Sequence, residues 1–281
     1  MTLPRYFPFM HGEYDVKAGI TALGKGMGNG PLDTQVFQLD EQRGVYLSAK
    51  RQAADNAKQH VLWEDLDTPA AIVIEDWMTT RLNAEYPGTY TGRPHDLGLG
   101  GLANLIQEDF AVLQLDEAGN NHLAHLNIAM PSGWAPEEKI GKPFDAVHRP
   151  VPHIEPLSAK QHSIASLMVN ATRGAVRFAW TVTDDAALNH HPNRDRSVAH
   201  PTPLPDHPAG EPLLRVERQV IRGFPEHRAA LFLIRTYLYP FSDLDAVTRD
   251  ALALAVRGMS ESSLEYKQMD RGRILTALAR P

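Results

Sequence analysis

Residues 213–241 read LLRVERQVIRGFPEHRAALFLIRTYLYPF. Two runs of apolar and β-branched residues flank the turn Pro225-Glu226-His227-Arg228, the pattern of an antiparallel hairpin. Side chains alternate between the two faces of a strand. Leu213, Arg215, Glu217, Gln219 and Ile221 therefore share one face of the first run, and Leu214, Val216, Arg218, Val220 and Arg222 share the other. In the second run Leu231, Leu233, Arg235, Tyr237 and Tyr239 lie together. Charged groups inside such strands are costly to bury unless they pair, face solvent or meet a charged ligand. A cross-strand ion-pair ladder on a wet face and a ligand-facing set both meet that requirement.

Upstream, AVRFAWTVTD (175–184) reads as a third strand, with Val176, Phe178 and Trp180 on one face and Arg177, Ala179 and Thr181 on the other. The polar, proline-rich residues 189–212 between them read as a long surface loop or lid, and the spacing of their four histidines sets no metal geometry. Residues 99–130 read as paired strands, LANLIQEDFAVLQLD and HLAHLNIAM, around the turn EAGNN. Simple alternation puts His122 and His125 on opposite faces, which makes a poor chelate with no third ligand beside it.

Residues 127–152, NIAMPSGWAPEEKIGKPFDAVHRPVP, have a strand-like entry, a Pro-Ser-Gly-Trp turn and a short helix carrying Phe144, Val147 and His148 into a stiff Pro-Val-Pro exit. His148 has two readings: the axial ligand of a flat apolar cofactor, or a buried histidine with no chemistry. A helix over 158–170 follows.

Towards the N-terminus, residues 68–86 form the clearest amphipathic helix, with Ile72, Trp77, Met78 and Leu82 at helical spacing and Pro87-Gly88 as its stop. Trp77 and Met78 read as core. Before it, a short strand at Val36 and a helix from about Val45 towards Lys58 are expected. Gly24, Gly26, Gly28 and Gly30 superficially offer a phosphate loop, but neither a preceding strand nor a Gly-Lys-Ser/Thr ending is present. The segment reads as flexible surface. Residues 242–281 read as helices, capped first at Ser242 or Asp243 and again near Met269. The expected organisation is an N-terminal elaboration (1–98), a core (99–241) and C-terminal helices (242–281), together one compact unit.

The 281 residues carry a formal net charge of -6, which gives no electrostatic reason to expect nucleic acid or an anionic membrane. There is no cysteine, which excludes disulfides, thiolate-ligated haem, Cys-ligated iron–sulfur clusters and a Cys nucleophile in this chain. That agrees with a cytoplasmic address. No signal-peptide pattern and no run of 18 apolar residues is read.

Five segments in order carry a resemblance: IQEDFAVL (106–113), PSGWAPEEKIGKPFDAVHRPVP (131–152), RFAW (177–180), LRVERQVIRGFP (214–225) and LFLIRTYL (231–238). Together they resemble the haem-dependent oxidative N-demethylase alpha-subunit-like family, over residues 31–267. The resemblance implies an α+β fold: a PAS-like curved antiparallel sheet with helices on one face, plus N- and C-terminal helical elaborations. It also implies haem b with His148 as proximal ligand, His153 and His162 being the alternatives downstream. The implied activity is oxidation by O2 of a methyl group on a small secondary amine such as dimethylamine, giving a primary amine and formaldehyde. By residue type and strand placement, Glu217 and Arg218 are the catalytic expectation, and Arg177, Trp180, Arg222 and Arg235 the cofactor-binding one. Electrons would come from flavin and iron–sulfur partner subunits of reductase and ferredoxin type, with a folate-binding partner to take up formaldehyde. The other classes are a non-catalytic haem PAS sensor and a haemless small-molecule-binding relative. Ala179 stands where the family commonly has Asn, and Val220-Ile221 where Thr-Leu follows ERQ.

Overall fold

The computed structural model describes residues 6–10, 14–16, 19–25, 33–93 and 95–279. Gly26, Gly28 and Gly30 of the glycine-rich stretch lie outside the described residues. Strands β1 (Thr21–Ala22), β2 (Leu62–Glu64), β3 (Asp109–Leu115), β4 (Asn121–Asn127), β5 (Ala175–Thr183), β6 (Leu213–Phe224) and β7 (Ala229–Pro240) form one open antiparallel sheet in the order β1-β5-β6-β7-β3-β4-β2. The β6–β7 hairpin forms around the turn read from sequence, with register running from Leu213↔Pro240 to Phe224↔Ala229. The β3–β4 hairpin joins it through β3–β7 pairing, so segments far apart in sequence meet at the middle of the sheet. The fold is α+β.

The described helices are α1 (Arg43–Val61, kinked at Ala57), α2 (Thr68–Glu85), α3 (Gly98–Leu102), α4 (Phe144–His148), α5 (Glu155–Ser158), α6 (Gln161–Val169), α7 (Ala246–Gly258), α8 (Glu261–Tyr266) and α9 (Arg271–Leu278). The α2 start is set by Asp67, whose carboxylate accepts the Ala70 N–H at 2.8 Å, with proline in the first turn. Asp245, Ser260 and Asp270 cap α7, α8 and α9 in the same way. The cap expected at Ser242 or Asp243 is displaced because residues 241–243 form a separate tight turn.

Two local expectations fail for tertiary reasons. The run at Val36 is extended but pairs with no strand among the described residues. Its N–H groups donate to side chains instead: Val36 and Phe37 to Glu85 at 2.7 and 2.9 Å, and Gln38 to Glu108 at 2.7 Å. Residues 98–102 coil into α3, whose Leu99 and Leu102 pack on α2 beneath the sheet.

The two faces of the sheet are covered differently. On one, Val176, Val220, Leu233 and Phe110 are sealed by α2 and α3. Further along the same face Trp180, Val216, Tyr237 and Tyr239 are sealed by residues of α7–α9 and by Tyr6 and Phe9. Each such fully buried aliphatic side chain contributes about 1.5–3 kcal/mol. On the opposite face α6 covers Ala175, Ile221, Ala230 and Leu113. Its end approaches β6 so closely that a Cβ at Gly223 would lie 2.1 Å from the Val169 carbonyl oxygen. Only glycine fits there.

Candidate active site: a hollow on the open face

β6 and β7 are interior strands, and on the sealed face Val216, Arg218, Val220, Leu233, Arg235 and Tyr237 are all buried. On the other face Glu217, Phe232 and Ile234 keep partial exposure, as do Arg177, Ala179 and Thr181 of the adjoining β5. Register aligns Ala179 with Glu217 and Thr236, and Arg177 with Gln219 and Ile234. Solvent therefore reaches the middle of the sheet on this face. Phe144 of α4 packs against the cluster that includes Ala230 and Phe232, so α4 stands along the rim of this hollow.

The position of α4 follows from three bonds. Asn121 Oδ1 accepts the Phe144 N–H at 2.6 Å, Lys139 Nζ donates to the Val147 carbonyl at 2.7 Å, and His153 Nε2 meets Ser260 Oγ of the α8 cap at 3.0 Å. His148 ends α4. Its Nδ1 lies 2.7 Å from the Phe144 carbonyl, so Nδ1 carries the hydrogen and donates, and its ring packs 4.1 Å from the Phe144 ring. Burial pulls the His148 pKa down to about 4; the Phe144 carbonyl opposes this and the Arg177 charge adds to it. The imidazole is neutral at ordinary pH, and Nε2 keeps its lone pair.

Beside it, Arg177 is a guanidinium with a buried Nε that has no hydrogen-bond partner. Burial lowers its pKa and the Glu217 carboxylate opposes the shift. Glu217 accepts a 2.8 Å bond from Gln219 Nε2. The far wall comes from the end of α8. Lys267 Nζ donates to the Trp180 carbonyl at 2.7 Å, and its pKa is pulled to about 8 by burial, against Glu217. Burial raises the Tyr266 hydroxyl, and Glu217 adds to the rise. Sequence reading did not single out Tyr266 or Lys267. They follow an amphipathic helix in a segment whose pattern speaks only of packing, and they reach Glu217 through the tertiary fold.

The other residues named from sequence lie elsewhere. Arg218, Arg222, Arg235 and Trp180 all project from the sealed face, away from His148, Arg177 and Glu217, as strand parity requires. Arg218 is bonded to Asp33 at 2.5 and 2.9 Å, and Arg235 to Asp40 at 2.9 Å with its guanidinium 3.7 Å from the Tyr46 ring. Arg222 lies over Trp77 and Phe224. Trp180 packs edge-on to Phe9 and Tyr14. Arg218 and Arg235 answer the buried-charge problem by pairing with N-terminal segments. Arg215, on the open-face side, is 1% exposed and donates to the carbonyls of Leu188 and Met130 at 3.1 and 3.0 Å. His153 is taken by Ser260, and His162 is exposed on α6.

The histidine pair on β4 departs from simple alternation. A register shift opposite Val112 and Leu113 aligns His125 with Val112 and His122 with Gln114, which places both histidines on one face. His125 is buried and stacks on Phe110 at 5.3 Å. Among the described residues no cluster of three metal-ligating side chains occurs, and no helix is long and apolar enough to cross a membrane.

The α+β fold thus brings to one face of its sheet a neutral imidazole and a guanidinium whose buried Nε has no hydrogen-bond partner among the described residues. Residues 93–274 match the family model described as haem-dependent oxidative N-demethylase, alpha subunit-like, and the chain belongs to that family. The matched region runs from before β3 into α9 and takes in every residue of the hollow named above.

Proposed function

We propose that this chain is the haem-carrying subunit of an oxidative N-demethylase. It takes haem b on the open face of the sheet and oxidises a methyl group of a small secondary amine, such as dimethylamine, to give the primary amine and formaldehyde. The observation that carries the reading is His148: Nδ1 is engaged by the Phe144 carbonyl, Nε2 makes no hydrogen bond among the described residues, and the Arg177 guanidinium beside it has a buried Nε with no hydrogen-bond partner among them. A ligating histidine has its second nitrogen oriented in this way by a backbone acceptor. The donor set also fits: one neutral imidazole serves a haem iron, whereas a bare metal ion needs more ligands. The order β5-β6-β7-β3-β4, with short helices between β4 and β5, supports a PAS-like reading of the core.

Bound there, the haem would supply dioxygen activation. His148 would ligate through Nε2, and Arg177 would neutralise a propionate with its unpaired N–H groups. Glu217 would accept a hydrogen bond from the ammonium form of the amine, and Lys267 and Tyr266 would close the wall behind it. Ala179, the register partner of Glu217, leaves room that a larger side chain would fill. One oxygen atom goes to formaldehyde and the other to water, so each turnover takes two electrons and two protons. A flavin and iron–sulfur reductase system would provide the electrons. A folate-binding partner for the formaldehyde, and a cytoplasmic location, belong to the same proposal.

The test is spectroscopic first. Purified protein supplemented with haem should develop a Soret band that His148→Ala abolishes or shifts. No band in the parent protein, or an unchanged band in the variant, defeats the proposal at its first step. Small methylamines with a reductant and O2 should then yield formaldehyde. A haem protein that yields none with any small amine is a gas-binding module instead.

A further inference from the structure

Behind the sheet from His148 lies a second cleft, of about 210 Å3, bounded by Gly24, Thr34, Trp77, Arg81, Arg173 and Arg222. Three guanidinium groups line it. Arg81 is held by Glu85 at 2.7 Å and donates to the Thr34 carbonyl at 3.0 Å. Arg222 lies 5.5 Å from the Trp77 ring and, among the described residues, donates only through Nη1, to the carbonyls of Thr172 and Gly223. Its Nε and Nη2 edge is left for a ligand, with Glu226 easing the cost of its burial. Arg173 is exposed and has no partner among the described residues. This concentration of positive charge stands out in a chain of formal net charge -6.

A second observation points to the same place. The glycine-rich stretch beginning at Gly24 fails as a phosphate loop by its sequence context. Yet the Gly24 N–H donates to the Asp33 carbonyl at 2.8 Å, with Gly24 at φ 84°. Gly24 and Asp33 are thereby tied together at the edge of the cleft that Gly24 and Thr34 line. A guanidinium edge presents parallel N–H donors that match phosphate oxygens. A doubly charged group is balanced by the two arginines that no carboxylate holds in place.

We propose that this cleft binds the phosphate group of a small phosphorylated molecule, with Arg173 and the free edge of Arg222 as donors and Arg81 as supporting charge. This site is separate from the hollow at His148 and stands whether or not haem binds there.

Isothermal titration of the full chain with inorganic pyrophosphate tests it, with succinate as the carboxylate probe. Pyrophosphate should bind more tightly than succinate, and Arg173→Gln and Arg222→Gln should each weaken it roughly tenfold, the loss of one charge-assisted contact. Arg222→Gln also removes bonds to Thr172 and Gly223. Arg173→Gln, at an exposed and unpaired side chain, therefore decides the matter. Absence of pyrophosphate binding, unchanged affinity in Arg173→Gln, or succinate binding as tightly as pyrophosphate would each overturn the proposal. The haem spectrum of Arg173→Gln reports on the other site, so failure of one reading is distinct from failure of the other.

Discussion

Arg218 and Asp33 are joined by two hydrogen bonds, Nε to Oδ2 at 2.5 Å and Nη2 to Oδ1 at 2.9 Å, across 185 residues of chain. Arg218 also donates to the carbonyls of Gln35 and Val36, so one guanidinium from an interior strand fastens the extended segment to the sealed face. Removing one partner of a buried pair leaves the other charge without compensation, at a cost of about 3–5 kcal/mol. Asp33→Asn should lose about that much, read as a lower urea midpoint. A variant within about 1 kcal/mol of the parent would show that this ion pair does not anchor the segment.

Arg177 differs from Arg218 in having no protein partner for its buried Nε. If it answers a haem propionate, Arg177→Gln should weaken haem binding by about 1.5–3 kcal/mol, or roughly tenfold to a hundredfold. The Soret position should hold, because the axial nitrogen is untouched. Haem titration separates affinity from spectrum. Full affinity in the variant would remove Arg177 from the site.

Asp109 supplies a pH dependence. Its Oδ2 accepts the N–H groups of Ala129 and Met130 at 2.9 and 2.7 Å, and Lys50 lies 3.9 Å away. Burial outweighs these and raises its pKa from 3.8 to about 6. Between those two values the folded state holds a proton that the unfolded state has released. The stability contribution is therefore fully present at the acid end and lost as pH rises through about 6, by on the order of 3 kcal/mol. Urea midpoints from about pH 4 to 7 should fall more steeply in the parent than in Asp109→Asn. Parallel profiles would remove Asp109 as the cause.

Gly223 tests the seating of α6. A methyl group there meets the Val169 carbonyl at 2.1 Å and the Met168 carbonyl at 2.6 Å, and backbone cannot yield cheaply. Gly223→Ala should destabilise by about 3 kcal/mol or more and loosen the helix that follows α4. Unfolding midpoints and proteolysis within 155–170 are the measurements. An unperturbed midpoint would mean that α6 shifts without cost.

Much of this was legible in residue order, because strand parity is a local property. Alternation set Glu217 apart from Arg218 and Arg222 within one strand and Arg177 apart from Trp180 within another, and the hairpin at 225–228 came from turn chemistry. The expected sets nevertheless joined Glu217 with Arg218 and Arg177 with Trp180, Arg222 and Arg235, and only the register between strands sorts them by face. The short helix bearing His148 was legible from its flanking prolines. Alternation could not say which face would be sealed. That depended on α2, α3 and α7–α9 settling on one side while α4–α6 left the middle of the other open. Nor could it see the shift opposite Val112 and Leu113, which carries His122 to the face of His125. The Val36 segment reads as a strand but takes its bonds from Glu85 and Glu108, up to 70 residues away. Tyr266 and Lys267 likewise reach Glu217 only when α8 folds back on β5. The sequence by itself determined the strands, the turns and the parity of each charged side chain, because these depend on neighbours in the chain. The hollow and the arginine cleft were decided by tertiary packing. Each exists only because elements distant in sequence meet there and bring guanidinium groups with them.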